Sequence, residues 1–123
     1  IAAKESGRPH RAQNIFLEVS QRFPRFAPVF HRLGTVFLQH GDLRQAQAAF
    51  VKCTEFAPNQ PHGYVGLADV LVRRSEFKSA KTRIEKAIAI EPNHENARYL
   101  HGLALRGLGR RDEALLEMRN FLV

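Results

Sequence analysis

The side chains able to do chemistry in this sequence are few and scattered. The single cysteine, Cys53, has no histidine at a spacing that would make it a nucleophile. One cysteine supports neither a disulfide framework within the chain nor a Cys-based zinc site. The six histidines are His10, His31, His40, His62, His94 and His101. Two imidazoles can bind zinc, but a complete site needs a third or fourth ligand with its own support. No Gly-rich phosphate loop, paired-carboxylate motif or Ser-His-Asp pattern occurs. Basic residues gather at Arg73, Arg74, Lys78, Lys81, Arg83 and Lys86, against Glu76 and Glu85. Helical geometry spreads them over more than one face, whereas a nucleic-acid surface needs a continuous stripe with exposed aromatics. The chemistry expected is recognition: no catalysis, no cofactor, no resident metal and no nucleic-acid partner.

The elements that position these residues come from an internal repeat. Pro24, Pro58 and Pro92 are spaced by 34, and so are Ala12, Ala46, Ala80 and Ala114. Gly7, Gly41 and Gly109 hold the same register, with Ser75 in the remaining slot. Phe16, Phe50, Ile84 and Met118 form a fourth column. The units are residues 1–26 (partial), 27–60, 61–94 and 95–123 (partial), so the 123-residue chain is repeat from end to end and reads as one domain. Its formal charge of +7 favours acidic partners in general. No apolar run is long enough for a membrane span. Ile1–Arg8 lack the apolar core of a signal peptide. With no initiator Met, the chain is expected to be a segment of a longer protein, and both cytoplasm and periplasm fit it.

Within a unit the apolar spacing is helical. Phe30, Leu33, Gly34 and Phe37 fall on one face, Gly41-Asp42 breaks it, and Leu43, Ala46, Phe50 and Cys53 resume until Pro58. Tyr64, Leu67, Ala68 and Leu71, then Phe77, Ala80, Ile84 and Ala87, repeat this. Helices are predicted near 9–22, 28–40, 43–56, 62–74, 77–90, 96–108 and 111–122, after a helical stub. Small residues at Gly34, Ala68 and Gly102, and at Ala46, Ala80 and Ala114, let antiparallel helices approach closely.

This pattern resembles the tetratricopeptide repeat (TPR). Residues 27–60 match in Phe30, Leu33-Gly34, Phe37, Gly41, Ala46, Phe50 and Pro58. Residues 61–94 match in Tyr64, Leu67-Ala68, Leu71, Ala80, Ile84, Ala87 and Pro92. The last stretch matches in Gly102, Gly109 and Asp112-Glu113-Ala114, and departs at Arg98 and His101, where an aromatic and Leu are usual. Tyr99 and Leu100 are expected to supply those contacts from a shifted position.

The resemblance implies an all-α, right-handed superhelical solenoid of antiparallel helix pairs, acting as a non-catalytic interaction scaffold. It implies a concave groove lined by His31, Thr35, Leu38 and Gln39, by His62, Val65, Asp69, Val72 and Arg73, and by Tyr99, Leu103 and Arg106. Pro28, Asn96 and Gly107 occupy the remaining groove positions. Such a surface would hold a polypeptide through aliphatic pockets, with Arg73 and Arg106 catching a carboxylate or carbonyl. The clamp that grips acidic tails of heat-shock proteins is not expected, because His31, Thr35, Gly66, Asn96 and Leu100 replace its Lys, Asn and Arg. His31 and His62 would face one groove, with Asp69 the sole further metal-ligand candidate, and polar lining is the plainer reading. Cys53 stands where the family prefers Ala, as a small buried thiol. An alternative role is a substrate-presenting segment of a larger enzyme such as a glycosyl- or sulfo-transferase. At the other end, Ala114, Leu115, Met118, Phe121 and Leu122 make an apolar stripe, predicting self-association through the last helix.

Overall fold

The computed structural model describes residues 14–122, with side chains described through residue 119. Among the described residues there are seven helices and no strand. They are α1 (14–22), α2 (Ala27–Gln39), α3 (Leu43–Phe56), α4 (His62–Arg73), α5 (Phe77–Ile90), α6 (Glu95–Gly107) and α7 (Arg111–Leu122). Each bound in α2–α7 lies within one residue of that read from the sequence. The expected start of α1 near residue 9, and the stub before it, lie outside the described residues.

The first helix of each unit stops by one device. Gly41, Ser75 and Gly109 adopt φ of 76°, 60° and 80°. Their N–H groups reach back to the carbonyls of Leu38, Val72 and Arg106 at 3.0, 2.9 and 3.0 Å. The next N–H groups, of Asp42, Glu76 and Arg110, reach the carbonyls of Phe37, Leu71 and Leu105 at 2.9, 2.8 and 2.9 Å. This Schellman pattern satisfies carbonyls that a helix end leaves unpaired. Glycine enters the left-handed region freely, whereas the Cβ of Ser75 makes the same turn costly. Asp42 then caps α3, its carboxylate accepting the Gln45 N–H at 3.2 Å and the Gln45 side-chain amide at 2.7 Å. His94 caps α6 through Nδ1, which accepts the Ala97 N–H at 3.2 Å.

Packing sets small residues of one helix against large residues of the next. A Cβ on Gly34 would stand 2.6 Å from Phe50 Cε1, and one on Gly102 would stand 2.8 Å from Met118 Cε. Ala46, Ala68, Ala80, Phe50 and Ile84 are buried, each large side chain worth about 1.5–3 kcal/mol of burial. Sequential helices pack on one another from α2 to α7, and α2–α4 and α4–α6 also touch. Among the described residues no Cα of α3 comes within 8 Å of α5, nor of α5 to α7. The first helices therefore form a continuous inner wall and the second helices splay outward, giving a curved solenoid of antiparallel pairs.

The third unit corrects one expectation. The register of α6 does not shift to bring Tyr99 inward; Tyr99 stays exposed, and Arg98 keeps the aromatic's place. Arg98 Nε donates to the Pro92 carbonyl at 2.8 Å, as Tyr64 Oη donates to Pro58 at 3.1 Å one unit earlier. Arg98 Nη1 also donates to Glu117 Oε1 at 3.2 Å, and His101 Nδ1 meets the same oxygen at 2.8 Å. Charge on α6 and α7 thus replaces an apolar contact made by Leu33 and Leu67 in the units before.

Candidate functional site

The inner wall of α2, α4 and α6 encloses an open cavity of about 630 Å³. From α2 come His31, Thr35 and Leu38; from α4 Val65, Asp69, Val72 and Arg73; from α6 Asn96, Tyr99 and Leu103. These residues recur one turn apart, so each helix turns one face to the cavity while its apolar back packs on the second helices. His62 does not line this cavity; it shares a smaller one with His31. Gln39 and Arg106 are exposed outside the lining, as is Gly107, against which the Phe77 ring packs.

Sequence reasoning assigned Phe50 to the core and did not place it in the groove. Phe50 is buried, yet its ring forms part of the groove floor. It borders the cavity where Gly66, in the next unit, has no side chain; a Cβ there would collide with Phe50 Cε1. Leu100 completes the floor. The signal was the pair Gly34 and Gly66, both directed at one large side chain.

Apolar and polar positions alternate along the groove: Asp69 lies between Val65 and Val72 on the central helix α4, and Thr35 between His31 and Leu38 on α2. Leu38, Val65, Val72 and Leu103 are half-buried, able to receive apolar side chains. Arg73 Nε lies 3.0 Å from Asp69 Oδ1, an i,i+4 pair on α4. Being exposed, that pair contributes little to stability, and the remaining guanidinium N–H groups stay available to an acceptor. Thr35 Oγ1 donates to the His31 carbonyl at 3.0 Å, which ties it to its own helix. Burial holds the His31 imidazole below its ordinary pKa, with His62 and Arg32 adding to the effect, so the neutral ring is favoured. Burial pushes the Cys53 thiol up, which disfavours the nucleophilic thiolate. Among the described residues no group of three or more His, Cys, Asp or Glu could hold a metal ion. No described helix is long and apolar enough to cross a membrane.

A curved stack of helix pairs with an inner groove defines a helical-repeat solenoid. Residues 37–104 match the tetratricopeptide repeat family model, and the chain belongs to that family. Cellulose synthase operon protein C of Pseudomonas fluorescens (strain SBW25) is 30% identical over 104 residues, covering 77% of this chain and 8% of that protein. The crystal structure of MamA superposes with a TM-score of 0.83 at 24% identity, covering 98% of this chain and 66% of that one. YrrB, described as a TPR protein with an unusual peptide-binding site, superposes with a TM-score of 0.79 at 21% identity, covering 87% of this chain and 55% of that one. The chain therefore spans a small part of its sequence relative and less than two thirds of both structural neighbours. At these identities the structural likeness speaks for the fold.

Proposed function

We propose that the chain is a non-catalytic scaffold that holds a polypeptide segment in the inner groove. The observation that supports this is the groove itself: an open channel of about 630 Å³, apolar at Val65, Val72 and Leu103 and polar at His31, Asp69, Arg73 and Asn96. Apolar side chains of a bound segment would meet Val65, Val72 and Leu103, and its backbone groups the polar side chains interleaved with them. The peptide-binding description of YrrB points the same way by analogy of fold.

A random-peptide display selection against the immobilised chain tests this, with each enriched peptide measured again on Val72→Asp/Leu103→Asp and on Arg73→Glu. Peptides are expected to bind the parent and to lose affinity for both variants while far-UV circular dichroism is unchanged. Peptides that bind all three equally would place recognition elsewhere. A second role, presentation of substrate within a larger enzyme, draws on the much longer relative named for a cellulose synthase operon. It predicts that a polysaccharide, and not a peptide, protects the groove residues.

A further inference from the structure

Beside the groove lies a cavity of about 420 Å³, between α2, the C-terminal turn of α3 and the start of α4. Its polar lining is His31, Arg32, Gln60 and His62, with no carboxylate among the lining residues. The His31 and His62 rings meet edge-on with centroids 5.7 Å apart. Among the described residues none of His31, Arg32 and His62 enters an ion pair. Other charged groups nearby are engaged or neutral. His94, 6.5 Å from His62, accepts the Ala97 N–H through Nδ1, and its Nε2 lies 3.9 Å from Glu91. Cys53, facing from α3, is held in its uncharged form by burial. Three basic groups from two helices thus line one space, and none of them is ion-paired with an acid of the described residues.

We propose that this cavity is a binding subsite for a tetrahedral oxyanion, a phosphate or sulfate group. The guanidinium fork, two imidazoles and the Gln60 amide offer donors from several directions. That number suits an anion with four acceptor oxygens better than a carboxylate with two. The cavity exceeds a bare ion, leaving room for the group that carries it. α4 begins here with no side-chain cap, and its first-turn N–H groups add to the positive potential. Burial, and after it repulsion from His62 and Arg32, oppose protonation of His31. A bound anion would offset the repulsive part, so affinity is expected to rise as pH falls. This inference goes beyond the groove reading and does not depend on it.

Titrations of sulfate and of inorganic phosphate, at constant ionic strength in chloride and followed by imidazole NMR signals, test it. Sulfate stays a dianion across the range, so its pH dependence reports the protein alone. The expected result is a saturable shift of His31 and His62 with both anions while the exposed His40 stays still, and tighter sulfate binding at lower pH. Arg32→Gln is expected to weaken binding about tenfold or more, and Arg44→Gln, on α3, to leave it unchanged. The proposal is overturned by the absence of saturation, by His40 shifting in parallel, by equal losses in the two variants, or by acetate binding as well as sulfate. Groove peptides still bound by Arg32→Gln would show that the two sites fail or stand separately.

Discussion

Glu117 sits between Arg98 and His101, and removing it alone should loosen α7 from α6. The His101 and Glu117 side chains are only 16% and 15% exposed. Glu117→Leu leaves the His101 Nδ1 without its 2.8 Å partner and Arg98 with only its Pro92 contact. An orphaned, mostly buried polar group costs about 1–3 kcal/mol, and a fully buried pair broken on one side about 3–5 kcal/mol. Residual exposure and the surviving Arg98 bond place the expected loss near ~2 kcal/mol. His101→Leu leaves Glu117 its 3.2 Å contact with Arg98 and should cost about 1 kcal/mol. The double variant removes both polar groups and restores the Leu found at Leu33 and Leu67. Apolar replacement of a buried pair is often neutral, so it should return to within about 1 kcal/mol of the parent. The coupling energy is then about 2–3 kcal/mol. Urea unfolding of all four proteins by circular dichroism gives the cycle, and amide exchange in α7 shows whether the loss is local. Additive single effects, or Glu117→Leu as stable as the parent, would refute the reasoning.

Gly34→Leu should cost about 1–3 kcal/mol or more, because its side chain would be driven into the Phe50 ring; Ala80→Leu, at a site with no exposed surface, should do the same, and unchanged unfolding midpoints would contradict the packing. Ser75→Gly should stabilise the chain by roughly 1 kcal/mol by relieving the left-handed turn at φ 60°, while Gly41→Ser should destabilise it similarly; thermal melts of both check the sign. Leu115 and Leu116 are 67% and 57% exposed on α7, so the proposed self-association should appear as a mass that grows with concentration in sedimentation and should vanish in Leu115→Lys/Leu116→Lys. A strict monomer at high concentration would end that proposal.

Columns of Pro, Gly and Ala at a constant period made the helices legible, because each residue type acts locally: Pro58 cannot continue a helix, and Gly41 supplies the turn. The close helix approach at Gly34 was equally readable, though not that Phe50 is the side chain it meets. Arg98 was not, since a cation filling an aromatic's place depends on the Pro92 carbonyl and on Glu117 being within reach. Most expected groove residues do line the cavity, from His31 to Leu103, because one face of each first helix follows directly from register. Gln39 and Arg106 fall outside it, and His62 turns toward the neighbouring cavity. Met118, expected with Leu115, Phe121 and Leu122 at the self-association surface, packs on Gly102 of α6. The side chains of Phe121 and Leu122 lie outside the described residues.

The contact between α2, α4 and α6, and the separation of α3, α5 and α7, make this a mechanically uneven body. Compression along the array is resisted at the inner wall, where helices already touch. Flexure meets less resistance on the outer side, where the gaps between second helices can widen or narrow without breaking a direct contact. The inner wall acts as a fulcrum, and small rotations about it change the mouth of the groove. Under the proposed groove binding, bending of the whole array would accommodate a thick segment or a thin one with Phe50 and its neighbours remaining packed.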